Sequence, residues 1–461
     1  MTNEKTLIND LTQGSVMGRL VRFTLPLMLA NALQVCYNLV DMFFVGQFAG
    51  TDAQSAVSIA SNVTTLMFFC FMGIAAGGQI YVAQTVGSGR LRELGQIVGN
   101  SLTLCVITSL ILMLAIPLAR PILRLINTPE SIMDMTVNYL VICTAGNLMV
   151  ALYNGLCGVL RGMGDSFHPT LFVAIATVVN IVLDYLFVAV IPWGAAGAAL
   201  ATVIGQTVAC LFALGYLFIK RSSFGFDFEL SAFLLRARHV RVILRIGAPI
   251  ALKNIFINLS VIFVNAQINS LGVIAVAVTG ICAKLQSLMQ VVSQAMMDGT
   301  ASMVGQNIGA GKNRQASRVV WDAVLVGLIF AVVLSALFLL LPYQIFGIFS
   351  HDQAVVSLAR PFMAVCAVNV FAGALMAPTM GLINGVGDTL YNMGVAIADG
   401  VVARLALSLL FGYAMSMGAL GFFLGNCLAG FVSVLGGGVY FLLGWWKRRG
   451  ALVGAQEVRH G

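Results

Sequence analysis

"VAQTVGSGRLR", residues 82–92, returns as "VGQNIGAGKNR", residues 304–314, with valine, glutamine, two glycines and the final arginine in register. Two further pairs share the spacing. "RGMGD" (161–165) answers to "NGVGD" (384–388), and "RFTLPLMLAN" (22–31) to "RIGAPIALKN" (245–254). All three alignments use an offset of 222 or 223, the mark of one duplication rather than three accidents. The fragment "GAGKN" looks briefly like a phosphate loop. The first glycine is missing at the required spacing, however, and no Ser or Thr follows the lysine, so no nucleotide site is assigned.

Composition says what was duplicated. Of 461 residues, 59% are hydrophobic and 9% charged, against roughly 25% charged in soluble domains. A soluble fold has no means of hiding that much apolar surface, so the chain is a polytopic membrane protein. Stretches of about 20 apolar residues, enough to cross a bilayer, begin near Leu20, Ala53, Ile97, Ile132, Thr170 and Ala195. A second series begins near Val242, Ile274, Val319, Ala354, Asn392 and Gly418. The expected fold is all-α, with twelve transmembrane helices in two six-helix bundles. Six is even, so the second half re-enters from the same side. The halves form a parallel repeat, related by an axis along the membrane normal with a cleft between them, which is transporter architecture.

The predicted organisation is an N-terminal lobe over 1–219, a linker over 220–245 and a C-terminal lobe over 246–461. The linker "KRSSFGFDFELSAFLLRARHVRVILR" carries six basic and two acidic residues. Its second part fits either an amphipathic helix on the membrane surface or a solvated basic loop. With the N-terminus inside, 19 of the 25 Lys and Arg fall in inner loops and tails, among them Lys5, Lys312, Arg314, Lys447 and Arg459; Arg120, Arg124 and Arg360 fall outside. That bias places both termini in the cytoplasm; the expected location is a plasma membrane, the inner membrane of a prokaryote. The polar first 19 residues, followed by an over-long apolar run, do not fit a cleavable signal peptide. The net charge of +8 is spread over short loops rather than a stripe, so no nucleic acid is expected. The nine cysteines show no CxxC and no neighbouring histidine, and read as small packing residues.

Against this apolar background, "NIVLDYLFV" (180–188) stands out. An aspartate at the bilayer centre costs about 3 kcal/mol by insertion scales, and is kept where it faces protein or water. Asn180 is one turn from Asp184, on the same face. In the first span, Gln34, Tyr37, Asn38 and Asp41 share a face at i, i+3, i+4 and i+7. Counted from the outer surface, Asp184 and Thr202 lie at about 10 Å depth at 1.5 Å per residue, with Asp41 slightly shallower. Three spans thus present oxygen-bearing side chains at one level, and oxygen suits a hard cation. Helix-to-helix hydrogen bonding is the competing account of the same acids.

The twelve spans, the 6+6 repeat and the elements "LQVCYNLVDMFFVG" (33–46), "GVLRGMGD" (158–165) and "NIVLD" (180–184) resemble the multidrug and toxic compound extrusion (MATE) family, most closely its DinF-like branch. The resemblance covers essentially the whole chain. It implies an antiporter that exports amphipathic or cationic drug-like molecules in exchange for H+ or Na+, with no cofactor besides that coupling cation, working as a monomer in the lipid bilayer. It implies a cation site at Asp41, Asn180, Asp184 and Thr202. Gln34, Tyr37, Asn38 and Asn154 are the candidate substrate contacts. One departure is the lack of an acid over 245–271, where the NorM-like branch carries one.

The repeat itself is asymmetric. Asp41 corresponds to Val264 and Asp184 to Leu407, so cation coupling is expected in the N-terminal half. In the C-terminal half, Lys253, Lys284, Asp298, Asp399 and Arg404 lie within spans, open to either ion pairing or substrate contact. Asp399 and Arg404 are five apart, an awkward spacing for a pair on an α-helix, and Lys284 would reach Asp298 only if its helix bent. Asp165 and Asp388 follow glycines in equivalent turns, where capping the next helix is the simplest account. Pro26 and Pro249 recur at equivalent places, as pivots or as tolerated kinks. Abundant Met and Phe suit an adaptable binding cleft. Two rival readings remain: a lipid-linked oligosaccharide flippase, which would be expected to line its cleft with more cations, and a membrane-embedded enzyme, for which no catalytic pattern is present. A reporter active only in the cytoplasm, fused after Arg449 or inserted at Ser223, is predicted to be active at both places; silence at either contradicts the inside–inside topology.

Overall fold

The structure is a computed structural model that describes residues 8–224, 229–449 and 451–452. Lys5, Arg459 and linker residues 225–228 lie outside the described residues. Because hydrocarbon offers no partner for backbone N–H and C=O groups, a spanning segment must satisfy them internally, and here it does so as helix. Eleven described runs are long and apolar enough to cross a membrane, and the first of them, Val16–Gly87, contains two helices. They part at Gly50, whose φ of 84° no other residue adopts cheaply. That gives the twelve expected spans: α1 Val16–Phe44, α2 Gly50–Gly87, α3 Leu94–Met113, α4 Met133–Gly162, α5 Phe167–Asp184, α6 Gly194–Ile219, α7 Ala237–Asn269, α8 Val273–Gly309, α9 Asn313–Leu340, α10 Ala359–Val386, α11 Thr389–Ile397 with its continuation to Ala414, and α12 Gly418–Leu442.

The helices gather into two units. One comprises Leu25–Ala251 with the residues up to Leu11; the other comprises Thr12–Thr24 with the chain from Leu252. α1 and α7 therefore each contribute to both, and the division falls beside Pro26 and Pro249, the prolines inside these two helices.

Within each unit the same helix crossing recurs. A Cβ on Gly158 would lie 2.6 Å from the Ala75 carbonyl oxygen, and one on Gly162 would lie 2.5 Å from that of Gln79, so α4 rests directly on the backbone of α2. In the second unit Gly381 and Gly385 of α10 stand equally close, at 2.7 Å, to the Met297 and Ala301 carbonyls of α8. Small residues four apart allow this approach where no hydrophobic force drives helices together. Gly164 and Gly387, in the turns after α4 and α10, take φ of 84° and 87°, so the duplication seen in the sequence is a duplication of backbone shape.

Two local readings are resolved by side-chain contacts. The linker, open between a surface helix and a loop, takes a short 3-10 turn, Leu230–Phe233, before α7, whose first residues are the basic stretch itself. The reason is Asn100 on α3, fully buried, which donates to the Ala232 and Leu234 carbonyls at 3.2 Å and accepts from Arg236 N at 2.8 Å. Thr103 adds a bond to the Phe233 carbonyl at 2.9 Å. Asp165 does cap α5, accepting from Phe167 N and His168 N at 3.1 and 3.2 Å. Asp388 does not cap α11; it accepts from Tyr440 Oη at 3.0 Å and pairs with Arg449 at 2.9 Å.

Gly158→Val and Gly381→Val are each predicted to lower the midpoint of thermal unfolding in detergent, through overpacking of about 1–3 kcal/mol, with the alanine variants milder. Unchanged midpoints in both valine variants contradict the assigned helix contacts.

Candidate functional site

Three helices of the N-terminal unit build the site. Asp41 lies near the end of α1, four residues before a π-helical turn, Val45–Ala49. Asp184 is the last residue of α5 before a second π turn, Tyr185–Val190, and the two π turns pack against each other. Such turns widen a helix and free it from regular i→i+4 bonding, and they concentrate at functional positions. α6 closes on α5 through Gly205, where a Cβ would meet the Ala176 carbonyl oxygen at 3.1 Å and Asn180 Cβ at 3.3 Å. Thr202 and Gln206, one turn apart on α6, flank that contact.

The acids are enclosed and underemployed. Asn180 and Asp184 are 0% exposed and Asp41 is 7% exposed. Both carboxylate oxygens of Asp184, Asp41 Oδ1, both amide atoms of Asn180, Tyr37 Oη and Gln206 Oε1 are buried without a hydrogen-bond partner. Asn180 lies beside Asp184, and Tyr37 beside Thr202, short of hydrogen-bond geometry. Asp41 and Asp184 are near enough to interact electrostatically. A buried polar atom left without a partner costs about 1–3 kcal/mol, and more if charged. Helix-to-helix hydrogen bonds therefore do not account for these atoms, which gather on three neighbouring helices. Among the described residues no group of three His, Cys, Asp or Glu gathers as for a transition metal. Two carboxylates with neutral oxygens fit a proton or a hard cation instead.

The remaining candidates divide. Gln34 and Tyr37 line a small recess together with Tyr153, Thr177 and Gln206. Asn38 is exposed and does not join them. Asn154 spends its amide on the Val150 carbonyl of its own helix, at 2.8 Å. Two residues the sequence reading does not name lie beside these candidates: Gln206, and Tyr139, which is close to Asp41 and Tyr37. The i, i+4 spacing of Thr202 and Gln206 was the available signal.

The C-terminal unit is apolar at the equivalent positions, Val264 and Leu407, and Val264, 2% exposed, packs with Ile268 and Phe422. Its intramembrane charges sit elsewhere. The Lys284 ammonium lies 5.7 Å from the centre of the Phe349 ring, whereas Asp298 accepts from Gln294 at 3.1 Å. Lys253, buried, reaches Asn392 at 3.4 Å. Asp399 and Arg404 do pair, Oδ1 to Nη2 at 3.7 Å, contrary to the spacing expected of an α-helix. Residues Ala398–Ala403 form a π turn, whose i→i+5 repeat sets them on one face.

A duplicated six-helix unit with buried, unpartnered acids in one copy defines a multi-pass membrane transporter. The chain belongs to the MATE family: the MatE family profile matches it twice, over residues 26–186 and 249–410, one match for each half of the repeat. Among curated relatives, the probable multidrug resistance protein YpnP of Bacillus subtilis is 31% identical over 309 residues, covering 66% of this chain and 68% of that protein. The probable multidrug resistance protein NorM of Thermotoga maritima is 24% identical, covering 94% of each chain. Among solved structures, a MATE protein in its straight conformation superposes with a TM-score of 0.90 at 22% identity, covering 96% of this chain and all of that one. An outward-facing multidrug resistance MATE family transporter gives the same score and identity, covering 96% and 99%.

If the orphaned oxygens await a cation, supplying one stabilises the fold by mass action. Purified protein is predicted to melt several degrees higher in saturating Na+ or on acidification, and Asp184→Asn to lose that response. A wild-type midpoint indifferent to both contradicts the assignment.

Proposed function

We propose that the chain is a secondary active exporter of amphipathic and cationic drug-like molecules, driven by inward flow of H+ or Na+ through the site of Asp41, Asn180, Asp184 and Thr202. The observation that carries this reading is the pair of buried acids whose oxygens lack partners in a membrane-spanning unit. An incoming cation supplies the missing partner. It shifts the protein between states only through a difference in affinity for them, so the cation-loaded unit must hold drug less tightly, and drug leaves as the ion enters. The names of the relatives, multidrug resistance proteins in B. subtilis and T. maritima, agree with the substrate class.

The C-terminal cations bear on the flippase alternative. Lys253 is engaged with Asn392, Arg404 with Asp399, and Lys284 lies against Phe349. That scattering disfavours a common pyrophosphate cradle. An enzyme reading finds no support, because members of the family are transporters.

The test is efflux from everted membrane vesicles under an imposed proton or sodium gradient, at matched protein levels. Asp184→Asn and Asp41→Asn are expected to insert normally and to lose gradient-driven export by at least tenfold. Asn180→Ala should weaken ion dependence without abolishing it, since a neutral ligand contributes less than a charge. Full export by Asp184→Asn would overturn the proposal.

A further inference from the structure

We propose that the C-terminal unit holds a second ligand site, a charge-balanced cavity that receives the zwitterionic head group of an amphipathic molecule. The cavity has a volume of about 190 Å³ and is walled by α8 to α12, well away from the acids described above in the chain and confined to the unit that lacks them.

Its polar wall begins with the π turn Ala398–Ala403, which aligns Asp399 with Arg404. Asp399 is 5% exposed. Its Oδ2 accepts from Ser433 Oγ of α12 at 2.5 Å, which fixes the carboxylate and leaves Oδ1 facing Arg404 Nη2 at 3.7 Å, too long for a hydrogen bond. Asp399 Oδ1, Arg404 Nε and Asn426 Oδ1 are all buried without a hydrogen-bond partner, and all three residues line the cavity. Two acceptors and one donor are thus left free around a space large enough for a ligand head group. A loose, half-satisfied ion pair of this kind costs desolvation that its own attraction does not recover.

Charge balance selects the ligand. A lone cation at Asp399 would meet the Arg404 guanidinium, and a lone anion at Arg404 would meet the Asp399 carboxylate. A molecule carrying an ammonium and a carboxylate on neighbouring atoms offers each wall charge its opposite, and its ammonium has Asn426 Oδ1 as a further acceptor. The other lining residues include Met289, Met296 and Phe330, which suit the apolar body attached to such a head. The site extends the substrate range of the exporter to zwitterions, and rests on the export reading only in making the bound molecule cargo.

Binding to the purified full-length protein in detergent, without any gradient, tests it. The probes are ε-dansyl-lysine, which has a free amino-acid head, and dansylcadaverine, which has the same fluorophore and chain but no carboxylate. Gly430→Val fills the cavity from its wall without touching a charge, and the added Cβ meets only Ala372 Cβ, at 3.6 Å. It is expected to weaken dansyl-lysine binding at least tenfold and to leave dansylcadaverine unchanged. Asp399→Asn should show the same loss, and Arg404→Gln should reverse the preference toward dansylcadaverine. Should a charge variant fail to fold, Gly430→Val alone decides. No binding of dansyl-lysine to the wild type, or equal binding to wild type and Gly430→Val, overturns the site. Ion-driven efflux with dansyl-lysine binding indifferent to Gly430→Val would remove this site and keep the export reading. Binding as expected in a protein that exports nothing would do the reverse.

Discussion

Hydrocarbon does not hydrogen-bond, and every feature of this protein answers to that constraint. It forces the spans to be helical. It also makes each polar side chain within them costly unless a neighbour satisfies it. Most are satisfied locally: Thr24, Thr85, Thr136, Thr177 and Thr207 each return their hydroxyl to a carbonyl one turn back on their own helix. Against that rule stand Asp41 Oδ1 and both carboxylate oxygens of Asp184, buried without a hydrogen-bond partner, the feature on which the proposed cation site rests.

The two copies of the unit share their backbone and differ in where they place charge. The same glycine-mediated crossing and the same left-handed turn glycine appear in both. Only the first copy has acids near the ends of its first and fifth helices, and the second has an apolar cluster around Val264 in that position. Charge in the second copy lies elsewhere, at Lys253, Lys284 and Asp298 and at Asp399 and Arg404, where opposite signs sit together. A duplicated scaffold thus carries two buried acids in one copy and an acid beside an arginine in the other, a difference that follows from side chains rather than from helix placement.

Much of this was legible in the sequence because it depends on spacing along the chain. The offset of 222 or 223 predicted the repeat, apolar length predicted the spans, and the lone acids of "NIVLD" and "LQVCYNLVD" predicted the buried pair. What escaped depends on local departures from α-helical geometry or on long-range contacts. The Asp399–Arg404 pair was unreadable because i, i+5 neighbours meet only on a π turn, and nothing in "ADGVVAR" announces one. The strap from Asn100 to the linker joins residues more than 130 apart, so composition alone left the linker open between surface helix and loop. Which residues of the first helix's polar face are enclosed, as Tyr37 is, and which exposed, as Asn38 is, depends on the neighbouring helices. Asn154 had an amide its own backbone could use. Asp388 preceded a helix as a cap should, but Tyr440 and Arg449 compete for its carboxylate and win.

The central claim is that one buried acid pair couples cation entry to drug exit. It is tested most directly in proteoliposomes containing only this protein, by imposing a drug gradient with no initial ion gradient and recording cation movement. The account predicts that the cation moves opposite to the drug, at a rate that vanishes when either the drug gradient or the Asp41 carboxylate is removed. Cation flux that is the same with and without drug would contradict it.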